Sequence, residues 1–365
     1  MAIEDQSFEP DWFSPPGVTI QLAMKRKHQS VSDLAVELEL SLNETRALIL
    51  GDRQIDDAIA QRLARCLGGS ESFWHNRQTD YTQSLNRCAD GFSSSEFQDI
   101  AQGLPLNEMR RFGWINPNAN RPAQALAFFN VRSPELWKQR YQARTKAVTF
   151  RQSASLEDNP SSTLAWLRQA ERLASLIPCK PWDKAGFRDT LNDLRSFTRR
   201  KRPGKFFPDL VQQCAAKGVA VVFVPSPTGC RASGATFFLN EQKAIMVLSF
   251  RFLSDDQFWF SFFHEAAHLI LHDPHALFLE DSSEVTAAAE REANAFASNL
   301  LVPLDHRPEL ESLPARSNSI IRFAVRLGIS PGVVVGQMQH AGVLKHNQMN
   351  GLKRRYSKSE LIESI

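Results

Sequence analysis

From Pro15 to Leu67 apolar residues recur at three- and four-residue intervals between turn signals, which predicts a string of short helices. Val18 to Lys27 forms the first. Ser30 or Ser32 can cap a second, with Leu34, Ala35 and Leu38 at helical spacing. Ser41-Leu42-Asn43-Glu44 reads as a capping box that opens a third, ended by Gly51. Asp56 to Leu67 gives a fourth, with Ile59, Leu63 and Leu67 on one face and a stop at Gly68-Gly69. Two helices joined by a tight turn inside a small four- or five-helix unit describe a helix-turn-helix. Residues 86 to 205 stay helical in pattern, interrupted by Gly113-Trp114 and by a polar stretch, Ser153 to Ser162, that reads as a linker around Asp158-Asn159-Pro160. From Gly218 the period changes. Val219 to Val224, Ala235 to Leu239 and Ala244 to Ser249 read as three strands of a small sheet. After Asp255-Asp256 helical spacing returns over Phe258 to Leu271, and Val285 to Leu301 is a second long helix before Pro303. The fold class is α+β, mostly helical.

The chain also carries an internal match. Leu34-Ala35-Val36-Glu37-Leu38-Glu39-Leu40-Ser41 and Phe323-Ala324-Val325-Arg326-Leu327-Gly328-Ile329-Ser330 align without gaps, predicting a second helix pair near the C-terminus. Its following helix, Gly332 to Ala341, exposes too little charge to grip a duplex, although Lys345, Lys353, Arg354, Arg355 and Lys358 lie beyond it, so scaffold is the expected role.

At 365 residues, 42% of them hydrophobic, the chain can build two or three cores of roughly 100 to 200 residues, which excludes whole-chain disorder. Its five cysteines form no closely spaced pair, so they read as reduced thiols in a cytoplasm. Met1 to Pro10 lacks the basic-then-apolar order of a secretory signal, and no apolar run approaches the roughly 20 residues that span a bilayer. Charge is unevenly placed. Residues 1 to 80 hold 8 Lys+Arg against 13 Asp+Glu (net −5), residues 81 to 205 hold 21 against 11 (net +10), and residues 206 to 365 hold 14 against 16 (net −2). The run Arg195, Arg199, Arg200, Lys201, Arg202 and Lys205 closes the basic middle and reads as a solvated face. Three regions follow: 1–85 helix-turn-helix, 86–205 basic helical connection, and 206–365.

The third region carries the chemistry. His264-Glu265-Ala266-Ala267-His268 lies on a predicted helix, where the two imidazoles project from one face one turn apart and can reach one metal ion. Glu265 points to the side of that pair, placed to take a proton from a water as a metallopeptidase general base does. Two His leave a tetrahedral site short of one protein ligand. Glu290-Arg291-Glu292-Ala293-Asn294 begins 22 residues after His268, room for a loop and a return helix. Glu290 is the expected ligand and Glu292 the alternative, since on a helix the two point about 160° apart. Asn294, one turn beyond Glu290, is placed to support a metal-bound imidazole from behind. His272 and His275 read as packing or supporting residues, with oxyanion stabilisation the other role open to them. Two imidazoles and a carboxylate suit Zn²⁺ better than Mn²⁺.

Pro16-Gly17, Leu34-Ala35, Gly51 and Phe73-Trp74 make residues 13 to 85 resemble the helix-turn-helix domain of HigA-type (XRE-like) antitoxins. That resemblance implies operator binding through Leu42 to Leu50, with Asn43 and Arg46 facing bases. The net negative charge of the domain favours instead a docking or dimerisation module, so a homodimer is among the expected assemblies. Phe258-Trp259-Phe260 before the His-Glu-x-x-His segment, His272 beyond it, Ser233-Gly234-Ala235, and Glu290 to Pro303 with Ala293-Asn294, Phe296-Ala297 and Leu300-Leu301 resemble the ImmA/IrrE metallopeptidases over about residues 206 to 355. This resemblance implies a zincin-like domain, zinc held by His264, His268 and Glu290, Glu265 as catalyst, and cleavage of a regulatory protein. The expected partner is a helix-turn-helix repressor or antitoxin, in toxin-antitoxin or stress-response regulation. The substrate is expected to add a strand to the sheet edge around Ala235 to Leu239. The rival expectation is a DNA-binding regulator or antitoxin whose peptidase-like domain is a sensor or docking module.

Overall fold

The computed structural model describes residues 13–91, 103–133, 135–141, 159–249, 251, 253–272, 278–279 and 284–357. His275, Lys358, residues 1–10 and residues 153–158 lie outside them. Cα packing divides the chain into two units, Met1–Thr145 and Lys146–Ile365, so residues 86–205, read above as one connecting region, are shared between the two.

The described elements of the first unit are helices, among them α1 (Pro16–Arg26), α2 (Val31–Leu38), α3 (Leu42–Leu50), α4 (Asp57–Leu67), α5 (Glu71–Asp90), α6 (Leu106–Arg111) and α7 (Arg121–Phe129). Capping explains the boundaries. Ser30, not Ser32, opens α2, in a capping box with Asp33, and Ser41 does the same with Glu44 for α3. Proline at the first turn starts α1 two residues earlier than the apolar pattern alone suggests. A side chain at Gly17 would collide with the Ile49 carbonyl, which is why α1 and α3 can cross closely there. Arg77, buried on α5, donates to the Ser14 carbonyl at 2.9 Å and so ties the start of the chain to that helix.

The second unit contains α8 (Pro160–Ser175), α9 (Lys184–Leu194), α10 (Pro203–Ala215), a sheet, α11 (Asp255–Leu271), α12 (Glu284–Leu301), α13 (Arg307–Glu311), α14 (Ser317–Leu327) and α15 (Pro331–His340). The expected linker is corrected at its end: Asn159 caps α8 and Pro160 is its first residue, a pairing that starts a helix as readily as it marks a loop. The sheet has the order β1-β3-β2-β4, with β1 (Val219–Phe223) parallel to β3 (Lys243–Leu248), and β2 (Gly234–Asn240) antiparallel to both β3 and β4 (Phe278–Leu279). The first three match the β-branched runs within a residue or two. The two-residue β4 leaves no periodic trace and was not foreseen.

Every residue of β1 is buried, as expected of a strand covered on both faces. Helix α8 docks there through Trp166, whose indole nitrogen donates to the Val224 carbonyl at 2.9 Å. The N-terminal half of α11 stands in an aromatic core: Phe207 stacks on Phe223 with centroids 4.2 Å apart, and Phe258 and Trp259 pack against Phe206. Each such pair adds about 0.5–1.5 kcal/mol beyond its buried area, so this half of α11 is the rigid base for the polar half that follows.

Helices α14 and α15 meet at 107°. Gly328 ends α14 in the left-handed region with φ 70°, and Glu39 ends α2 at the aligned position with φ 51°. Ile329 N donates to the Ala324 carbonyl and Leu40 N to that of Ala35, both at 3.0 Å, so the internal match extends to the same helix-corner geometry. The five cysteines are free, and no single helix among the described residues is long and apolar enough to cross a membrane.

Candidate metal centre

Helices α11 and α12 lie side by side and bring together the two halves of the expected ligand set. His264 Nε2 and His268 Nε2 are 3.0 Å apart. Glu290 Oε2 is 3.0 Å from His264 Nε2, and its Oε1 is 3.4 Å from His268 Nε2. Tetrahedral zinc with bonds of about 2.0–2.1 Å places its ligand atoms about 3.3 Å apart, so the three donors fit such an ion with little movement. Two imidazoles with one carboxylate fit poorly to Ca²⁺ or Mg²⁺, which take oxygen ligands.

Both His rings are almost wholly buried. Burial pulls His268 below the ordinary imidazole range, which keeps the ring neutral, the state that ligates a metal. Burial alone would raise Glu290, but the His264 and His268 imidazoles packed against its carboxyl outweigh that and hold it at about 2, so the group is a carboxylate at any ordinary pH. Asn294 Oδ1 lies 2.9 Å from His264 Nδ1. An amide oxygen only accepts, so the His264 proton sits on Nδ1 and the lone pair faces the cluster.

Glu292 does not join the cluster. Its Oε2 lies 3.2 Å from His272 Nε2, and His272 Nδ1 lies 3.0 Å from His268 Nδ1. Both ring nitrogens of His272 are thus engaged away from the cluster, which leaves none for an oxyanion in this arrangement.

Glu265 is fully buried between the two histidines in sequence, and its carboxylate packs on Gly234 at the start of β2. A Cβ at position 234 would lie 2.6 Å from Glu265 Cγ and 2.7 Å from Cδ. The bare glycine is the space the carboxylate occupies. Sequence reasoning named Gly234 only through the family resemblance. The i, i+4, i+8 spacing of His264, His268 and His272 was the signal that all three face α12.

One expectation, a substrate strand on the sheet edge around Ala235 to Leu239, is corrected over its first two residues. The β2 edge at Ala235 and Thr236 already pairs with Leu279 and Phe278 of β4, so its backbone groups there are taken by the chain itself and are closed to an added substrate strand. In the first unit, Asn43 is exposed on α3 and Arg46 half-buried, with Arg46 Nη1 3.4 Å from Asn43 Oδ1. Burial lowers the Arg46 guanidinium to about 10, still charged at neutral pH. Glu44 is absorbed by the Ser41 cap and by an ion pair with Arg53 at 2.5 Å.

No curated protein and no solved structure matches the chain. Residues 214–337 match the peptidase family model described as the IrrE N-terminal-like domain, a stretch that runs from the end of α10 into α15 and contains His264, Glu265, His268, Glu290 and Gly234. This match supports a metallopeptidase-like, metal-dependent function for the second unit and its kinship to the ImmA/IrrE peptidases.

Proposed function

We propose that the protein is a zinc-dependent endopeptidase that makes limited cuts in a regulatory protein, with Glu265 as its general base. The observation that carries this reading is the convergence of His264, His268 and Glu290 beside a buried Glu265. His264, His268 and Glu290 would hold Zn²⁺, which when bound would polarise the scissile carbonyl as a Lewis acid and lower the pKa of a water toward about 7. Glu265 takes the proton of the attacking water and delivers it to the leaving nitrogen. Its burial keeps bulk water from screening the charge, and Gly234 keeps the carboxylate in place. Asn294 holds His264 in the ligating tautomer.

A helix-turn-helix repressor or antitoxin is the substrate class this reading favours. Closure of part of the β2 edge supports narrow selection over general digestion, since fewer backbone groups remain to accept any extended chain. The first unit would then recruit the substrate, through its helix corner, more readily than it would grip an operator. Gel shift against the protein's own upstream DNA tests the operator alternative; salt-sensitive specific binding would favour it.

The decisive experiment compares wild type with Glu265→Gln for new protein N-termini in cells, with metal content measured beside it. Cleavage lost while zinc is retained supports the reading. Cleavage that survives in Glu265→Gln overturns the mechanism.

A further inference from the structure

His264, His268 and His272 follow one another at single-turn spacing on α11, yet the inner two are supported in different ways. His264 leans directly on the Asn294 amide oxygen. His268 leans on a second imidazole, which leans in turn on an exposed carboxylate, Glu292, with 66% of its side chain accessible. A neutral imidazole carries one proton, so two Nδ1 atoms facing each other at 3.0 Å need one donor and one acceptor. Glu292 as a carboxylate can only accept. It therefore fixes the His272 proton on Nε2 and leaves a lone pair on His272 Nδ1. His268 Nδ1 must then donate, and its own lone pair falls on Nε2, the atom that faces His264 and Glu290. His272 caps the C-terminus of α11, with its backbone N–H bonded to the His268 carbonyl at 3.2 Å, so the ring is held one turn from its target.

We propose that Glu292 and His272 are a positioning pair that sets the tautomer and orientation of His268 and thereby the zinc affinity of the site. This rests on the metal-site reading above. It also gives Glu292, the rival ligand by sequence, a distinct role one shell further out.

The test is the zinc dissociation constant of the full chain, measured by chelator competition, for wild type, His272→Phe, His272→Asn, Glu292→Gln and the His272→Asn/Glu292→Gln double variant. Losing the supporting ring in His272→Phe should weaken zinc binding by about 10- to 100-fold. Glu292→Gln should weaken it by a few-fold, because the amide at that position can donate as well as accept and no longer dictates the His272 tautomer. His272→Asn places an acceptor oxygen near the lost Nδ1, so it should recover most of the affinity and be indifferent to Glu292→Gln. The proposal is overturned if His272→Phe binds zinc as wild type does, or if Glu292→Gln has the same effect with His272 as with Asn at that position. Wild type that binds no zinc would overturn the metal-site reading, and the positioning pair with it.

Discussion

Gly234→Ala adds one methyl group where the structure has none to spare. The new Cβ would lie 2.6–2.7 Å from Glu265 Cγ and Cδ, against roughly 3.5–4.0 Å for carbon atoms in favourable contact, so a gap of about 1 Å must open. Strand β2 is hydrogen-bonded on both sides at Ala235, and α11 is fixed by its aromatic half, so the Glu265 side chain is the part that gives way. A reacting group displaced by about 1 Å loses on the order of 100-fold in rate, or about 2.7 kcal/mol of barrier. Overpacking costs a further 1–3 kcal/mol or so of stability, which for a unit of this size lowers the unfolding midpoint by roughly 2–12 °C. Steady-state cleavage of a quenched-fluorescence peptide library reads the first effect and a thermal melt the second. Zinc content should stay near wild type, because the three atoms nearest a Cβ at position 234 all belong to Glu265 and none to a ligand. Glu265→Asp, one methylene shorter, should restore the midpoint of Gly234→Ala without restoring activity. A Gly234→Ala protein that melts and cleaves like wild type would refute the idea that this glycine seats the general base.

Three other outcomes are expected. Glu290→Ala should abolish stoichiometric zinc, as read by elemental mass spectrometry, whereas Glu292→Ala should still fill at saturating zinc; the reverse order would exchange their roles. Burial raises Asp255 from its usual 3.8 to about 6, against hydrogen bonds from Ser330 and Arg354. A raised carboxyl contributes stability that is fully present below its unfolded value and is lost as pH rises through the folded one. Between about pH 4 and pH 6 wild type should therefore lose up to roughly 3 kcal/mol relative to Asp255→Asn in denaturant titrations, and parallel pH curves would contradict the assignment. Lys353 and Asp256 form an ion pair at 2.6 Å with side-chain exposures of 14% and 8%. Lys353→Met leaves a buried charge behind and should cost about 3–5 kcal/mol, while Lys353→Met with Asp256→Leu should recover much of it; equal instability of the two variants would argue against a desolvated pair.

Local signals made much of this molecule legible. Ser41 with Glu44 marks a helix start because capping is settled within four residues, and β1 declares itself because a doubly covered strand must be apolar throughout. The two metal-site helices were readable for the same reason: helical pitch alone aligns His264 with His268 and separates Glu290 from Glu292. Hidden features depend on partners far along the chain. Nothing near Gly234 announces that Glu265 will lie on it, and nothing near Asp255 announces that Arg354 N will donate to it at 3.0 Å.

The two helix corners differ in how far they can be moved. In the N-terminal corner Ser41 closes its capping box with Glu44, their side chains 2.8 Å apart, and the other ties to the turn, from Arg53 to Glu44 and from Arg62 to Leu38 and Glu39, all come from the first unit. In the C-terminal corner Val333 stands where that Glu would be. Ser330 still accepts from Val333 N at 3.1 Å, but its own proton goes to Asp255 Oδ2 at 2.9 Å, 75 residues earlier, in the first turn of the metal-bearing helix. The first corner makes none of its ties to the metal-bearing helix, so exchanging it together with Arg53 and Arg62 leaves the ligand set as it is. The second has become a keystone: any graft, swap or insertion between Ser317 and His340 also rebuilds the foundation on which His264 and His268 stand.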